Sequence, residues 1–203
     1  MRYNKINEEL ISLLKSAGCY LVFPGIDSGN EYLRNVIIKR NISENQIIES
    51  SILLKKYRIL HMTGNILGLP DENIAQALET FKINKKIRPA YAWSAMFQPY
   101  PFTELYNYTI NNSLIDVTKI KNSISYKQIF NQEHSILKTN DIRSIIKLHL
   151  LFNISDLFVK FLIKLPLTYL YKGIYVFDSL FHNIFILKEI NVKQLVLLKY
   201  PKF

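Results

Sequence analysis

Three segments of this chain put chemistry-bearing residues at the ends of apolar runs. In the first, Gly25-Ile26-Asp27-Ser28-Gly29, an acid and a hydroxyl close a run that begins at Cys19. A carboxylate accepts and a hydroxyl can donate, which is what the hydroxyls of a sugar need. In the second, Gly64-Asn65-Ile66-Leu67-Gly68, two glycines flank an apolar side chain. A flat ring such as adenine can lie against glycine backbone there, with Ile66 covering its face. The third is Met96-Phe97-Gln98-Pro99-Tyr100-Pro101-Phe102-Thr103, where prolines lock a corner just after Gln98. Plainer readings stand beside these. The first segment also suits a turn with an Asx cap, and the second a bulged strand.

The elements that must position these residues alternate. The spacing of Ile6, Leu10, Leu13 and Leu14 predicts a helix over 6–17, closed by Gly18. A short strand follows at 19–24, then a helical turn or two at 30–39. Ser43 and Gln46 form a capping-box pattern that opens a helix running to Lys56. A second strand is expected at 59–67 and a helix at 73–83, capped from Asp71 or Glu72. A third strand is expected at 90–98 and a short helix near 103–108. Strands separated by crossovers this long must pair in parallel. Ligands of parallel sheets bind at the C-terminal ends of the strands, where all three segments stand. The expected class is therefore α/β, a partial (β/α) TIM-like barrel of about three parallel strands.

Composition narrows the function classes. The 203 residues include 49% hydrophobic and 13% aromatic side chains, enough for a packed core. One cysteine excludes a disulfide framework and any site needing several thiolates from this chain alone, and it fits a reducing, cytoplasmic compartment. Cys19 itself reads as a small buried hydrophobe. The net charge of +10 is spread along the chain rather than clustered, so no nucleic-acid partner is expected. His61 and His149 have no second ligand at metal-binding spacing. Trp93 reads as core, with its neighbours on the strand facing a site. No catalytic residue and no metal ligand is assigned, and no P-loop, Rossmann fingerprint or nucleophile elbow is present.

Taken together and in order, GIDSG, GNILG followed by GLPDEN, and the Pro-Tyr-Pro corner resemble strands four to six of the radical S-adenosylmethionine barrel. The resemblance is closest to the subgroup that also carries a cobalamin-binding domain. Arg2, and the helix leading to Ala17-Gly18-Cys19, fit the same pattern, so the similarity spans about residues 2–108. It implies that Asp27, Ser28, Gly64, Ile66, Gly68 and Gln98 cradle S-adenosylmethionine. Asp27 stands where the family has glutamate, and Asp71 and Phe102 stand where it has glycine. The family's chemistry starts from a [4Fe–4S] cluster on a CxxxCxxC loop, absent here, so catalytic inactivity of this chain by itself is expected.

Domain expectations follow from the same resemblance. Residues 1–110 read as the C-terminal half of such a barrel, 111–139 as an irregular connection and 140–203 as an apolar helical extension. Three strands cannot close a barrel, which normally takes ~250 residues, so the chain reads as a piece of something larger. Its expected partner is the missing N-terminal half of the barrel, either in the same protein or as a separate chain. A non-catalytic nucleotide-binding or scaffold module is the alternative. The stretch 148–187 reads as a helical cap, with contact to a membrane surface as the other possibility.

Overall fold

A computed structural model gives the fold of residues 1–115, Leu137 and residues 141–152. The chain opens with a 3-10 turn (Tyr3–Lys5) and helix α1 (Glu8–Ser16). Asn7 caps α1, accepting from the amide of Leu10 at 2.8 Å. Gly18 just beyond it takes φ +80°, the left-handed stop expected from the sequence. Two short strands follow, β1 (Leu21–Val22) and β2 (Gly25–Asp27), separated by Phe23-Pro24. Their registers against the long central strand β3 (Leu60–Leu67) run on from one to the other, Leu21 opposite Leu60 and Gly25 opposite Gly64. They are thus one strand broken by a proline, which has no amide to donate. On the other edge, β4 (Tyr91–Met96) pairs with β3 from Met62–Tyr91 to Leu67–Met96.

Every one of these pairings is parallel, as the sequence predicts, and the fold is α/β. Arg2 also bridges Gly25 in parallel, so the sheet extends beyond β2 on that side. The element boundaries differ from expectation by a few residues. The expected first strand ends at Pro24, yet pairing resumes to Asp27. The turn expected at 30–39 contains a π-helical segment (Leu33–Ile37).

Helix α2 (Glu44–Lys56) begins with the reciprocal Ser43–Gln46 capping box read from the sequence. Helix α3 (Ile74–Ile87) begins differently. Asn73 is its N-cap and Gln76 completes a second capping box, so Asp71 and Glu72 are not the cap. An asparagine carbonyl oxygen accepts from the third amide of a helix as well as aspartate does, and here the later residue has the right phase. Helix α4 (Glu104–Asn111) is capped by Thr103. Helix α5 (Ile142–Leu150), placed by sequence in the helical extension, packs against α3, β4 and β3. Phe152 just beyond it meets Phe81 of α3 edge to face at 5.9 Å. The rest of the expected extension, 153–203, lies outside the described residues.

Helices α2, α3 and α5 cover one face of the sheet. Tyr3, Ile26, Ile42, Ile47, Ile83 and Ile87 form a core cluster under α2 and α3. Ile11, Val22, Leu54 and Ile59 form another under α1. A third, at the C-terminal ends of the strands, gathers Leu33, Leu69, Phe97, Ile115 and Leu137. Along β3, Thr63 and Asn65 point toward α3, where both bond the side chain of Asn84. Gly64 and Ile66 must then point to the opposite face. That face carries the site.

Candidate functional site

A cavity of about 370 Å³ lies on the face of the sheet away from α3, at the C-terminal ends of the strands. Asp27 comes from β2, Gly64 and Ile66 from β3, and Trp93 and Ala95 from β4. Gln98 and Tyr100 close it from the corner after β4. Four of the six residues singled out by sequence, Asp27, Gly64, Ile66 and Gln98, thus meet on one wall.

The floor is flat because of its glycines. Gly25 and Gly64 are register partners, and a methyl added at Gly64 would lie 3.8 Å from the Cα of Gly25. It would also lie 3.5 Å from the ring of Phe23. Phe23 meets Trp93 edge to face at 6.2 Å, so two aromatic rings flank the glycine pair. Trp93 therefore lines the site itself. Its neighbours are the residues that face the helices: Ser94 meets the His149 ring on α5 at 2.8 Å. The sequence expectation had these orientations exchanged, because a lone tryptophan in a strand is usually core and period-2 alternation has no absolute phase.

Asp27 reaches the cavity through an irregularity in its strand. Pairing with β3 shifts register between Gly25 and Asp27, and Asp27 takes φ 62°. A bulge at a strand end redirects the side chain that follows it. Here the carboxylate folds over Gly25 and forms an ion pair with Arg40. Arg40 follows the π-helical segment, and its backbone is anchored by its own amide on the carbonyl of Arg34 and by Arg2 on its carbonyl.

Ser28 and Gly68 lie off this wall. Ser28 is fully buried, and its hydroxyl accepts from the amide of Asn30 at 3.3 Å. Its carbonyl, like that of Gly29, accepts from the buried guanidinium of Arg34, at 2.9 and 3.0 Å. Gly29 needs its missing side chain, since a methyl there would come within 2.4 Å of the α3 backbone at Glu79 and Thr80. The Ser28-Gly29 step is thus how β2 docks on α3. Gly68 (φ +71°) turns the chain after β3, and its amide and that of Leu69 both donate to the carboxylate of Glu72.

Sequence reading passed over Arg34 and Arg40, and took Glu72 only as a candidate helix cap. Each is an ordinary surface residue type, and only burial reveals its role. Burial pushes the Glu72 carboxyl up to about 7, against the opposing pull of the two amides. Burial, aided by nearby Lys55, holds the His61 ring down at about 4. His61 faces the helices, remote from the cavity lining. Among the described residues no group of His, Cys, Asp and Glu could hold a metal ion, and no helix is long and apolar enough to cross a membrane.

With this geometry in view, one similarity to a known protein gains meaning. Over 114 residues, 56% of the chain, the sequence is 33% identical to an uncharacterized methyltransferase of Pyrococcus horikoshii. The chain spans about a quarter of that protein's length, 25%. No family model matches the chain.

Proposed function

We propose that these residues form the nucleoside-cradling part of a larger S-adenosylmethionine-dependent enzyme of the radical S-adenosylmethionine type. The observation that carries this reading is the convergence of Asp27, Gly64, Ile66 and Gln98 on one cavity. An acid for sugar hydroxyls, a side-chain-free floor for a flat ring and an apolar cover occur together, at the strand ends where parallel sheets bind ligands. Similarity to a methyltransferase supports a cofactor that carries an activated methyl group. When bound, S-adenosylmethionine supplies a sulfonium centre; the residues here hold its nucleoside end. Ile66 and Trp93 exclude water from the ring faces, and Asp27 accepts from the ribose.

The iron–sulfur cluster is a different matter. A cluster held by three cysteines needs three thiolates, and this chain has one cysteine. Its residues do not fit that group, so we derive no step through it. In this reading the thiolates come from polypeptide outside these 203 residues, and the chain alone cleaves nothing. Cobalamin use rests on the sequence resemblance alone.

Trp93 is the chain's single tryptophan and sits in the cavity, so its fluorescence reports occupancy. Titration with S-adenosylmethionine and with S-adenosylhomocysteine is expected to give a saturable change that adenosine competes away. Absence of saturable binding by both fluorescence and calorimetry overturns the proposal.

A second reading concerns what completes the sheet. Among the described residues the outer edge of β4 pairs with no further strand, so it can accept a parallel strand from a separate polypeptide. A tagged chain that brings down a cysteine-bearing partner from its own cells, in a fixed ratio, supports a split enzyme. Recovery as a stable monomer argues against it.

A further inference from the structure

Asp27 does not stand free in the cavity wall. Its Oδ2 is in contact with the Nε of Arg40. A methyl built on Gly25 would meet Oδ1 at 3.2 Å, Oδ2 at 3.5 Å and the Nη2 of Arg40 at 3.5 Å. Carboxylate and guanidinium therefore lie together across the Cα of Gly25. The Asp27 side chain is 8% exposed and that of Arg40 33%. A short, mostly buried acid on a left-handed backbone has few rotamers, and a partner that holds one oxygen fixes the direction of the other.

We propose that Arg40 is the positioning residue for Asp27. It occupies Oδ2 and leaves Oδ1 aimed to accept from the two vicinal hydroxyls of a ribose, which makes the site selective for nucleosides with an intact cis-diol. The inference rests on the nucleoside reading of the cavity given above. Gly25 belongs to the same device, because its missing side chain is the space the pair fills. The backbone bonds of Arg40 to Arg34 and Arg2 do not involve its guanidinium, so a side-chain substitution leaves them in place.

The test compares adenosine with 2′,3′-dideoxyadenosine by ligand-observed NMR on the full chain. The unaltered protein is expected to prefer adenosine by about ten-fold, the scale of one hydrogen bond to a charged acceptor. Arg40→Gln weakens adenosine by about the same factor and leaves dideoxyadenosine unchanged, while Arg40→Lys restores most of the preference. Gly25→Ala, which displaces the pair without removing either charge, lowers the same ratio and carries the test should Arg40→Gln fail to fold. Equal weakening of both nucleosides, or an unchanged ratio in Arg40→Gln and Gly25→Ala, overturns the role of Arg40 and leaves the nucleoside site standing. Failure of the unaltered protein to bind either nucleoside overturns the site itself, and Arg40's role with it.

Discussion

The amide of Gly29 donates to the hydroxyl of Thr80 at 2.8 Å, joining the turn after β2 to the middle of α3. Asn30 strengthens the joint by donating to both carboxylate oxygens of Glu79, at 3.1 and 3.0 Å. The turn that presents Asp27 is thereby fixed to the same helix whose Asn84 holds Thr63 and Asn65 of β3. Two strands of the site take their relative position from one helix.

Gly29→Ala should therefore be costly. Its methyl would sit 2.4 Å from backbone atoms of Glu79 and Thr80, which cannot swing aside as a flexible side chain could. A loss of about 2 kcal/mol or more in urea unfolding is expected, within the overpacking range. Thr80→Val, which leaves the Gly29 amide buried without an acceptor, should cost about 1–3 kcal/mol. A Gly29→Ala protein as stable as the parent would mean that the turn and α3 are not in this contact.

Asp71 (φ 63°) and Phe102 (φ 70°) hold left-handed backbone, a region that favours glycine. A side chain in that region costs about 1–2 kcal/mol. Phe102 is 100% exposed and so returns nothing through burial. Asp71 returns a little, since its carboxylate accepts from the hydroxyl of Tyr108. Phe102→Gly is expected to raise stability by about 1 kcal/mol, and Asp71→Gly by less. Thermal unfolding of the two variants checks both the sign and the order.

Glu72 and His61 make opposing pH dependences. The Glu72 carboxyl, raised from 4.5 to about 7, gives up its proton more readily in the unfolded chain. Its contribution is favourable below pH 4.5 and is lost as pH rises toward 7, by about 3 kcal/mol in all. The His61 ring, lowered from 6.5 to about 4, is more easily protonated when unfolded. Its contribution is present above pH 6.5 and is lost as pH falls toward 4, by a similar amount. Where the two windows overlap, from pH 4.5 to 6.5, the slopes cancel and the parent protein should look flat. Glu72→Gln exposes the His61 slope, its advantage over the parent growing from nothing near pH 4.5 to about 3 kcal/mol at pH 7. A constant difference across that range would place Glu72 in water.

The glycine floor invites a direct blocking experiment. A methyl at Gly64 makes ordinary contact with Phe23, 3.5 Å away, so Gly64→Ala should fold normally. Gly64→Val adds branched bulk between Phe23 and Trp93 and should abolish the Trp93 fluorescence response to S-adenosylhomocysteine. Its melting temperature should stay within a few degrees of the parent's, since strands favour valine. Retained binding in Gly64→Val would move the ligand off this wall.

Much of the architecture was legible in the sequence because the signals were local. Ser43 with Gln46 announces α2, and the apolar runs ending in Pro24-Gly25 and in Gly68-Leu69-Pro70 announce β1 and β3. The parallel pairing follows from the length of what lies between them. The choice of Asn73 over Asp71 as helix cap was not legible, because both residue types cap well and only the phase of α3 decides. Nor was the cavity-facing side of Trp93, since its orientation depends on the register of β4 with β3. Asp27, Gly64, Ile66 and Gln98 could be named together because three segments in order resemble one family's strand ends, and strand ends in a parallel sheet lie side by side. The grips of Arg34 on the 28–29 carbonyls and of Arg40 on Asp27 could not. They depend on how the π-helical segment at 33–37 places the chain, a feature with no sequence period of its own.

An all-parallel sheet also sets the pace at which the protein can form. Leu21 must find Leu60, and Met62 must find Tyr91, each after a whole helix has been threaded between them. Among the described strands of the sheet no hairpin is available as a quick local nucleus, and loop closure has to come before any strand contact offsets it. Until α2 and α3 dock, the apolar edges of β3 stand open to other chains. Refolding should therefore be slow and sensitive to protein concentration, with yield favoured by dilution.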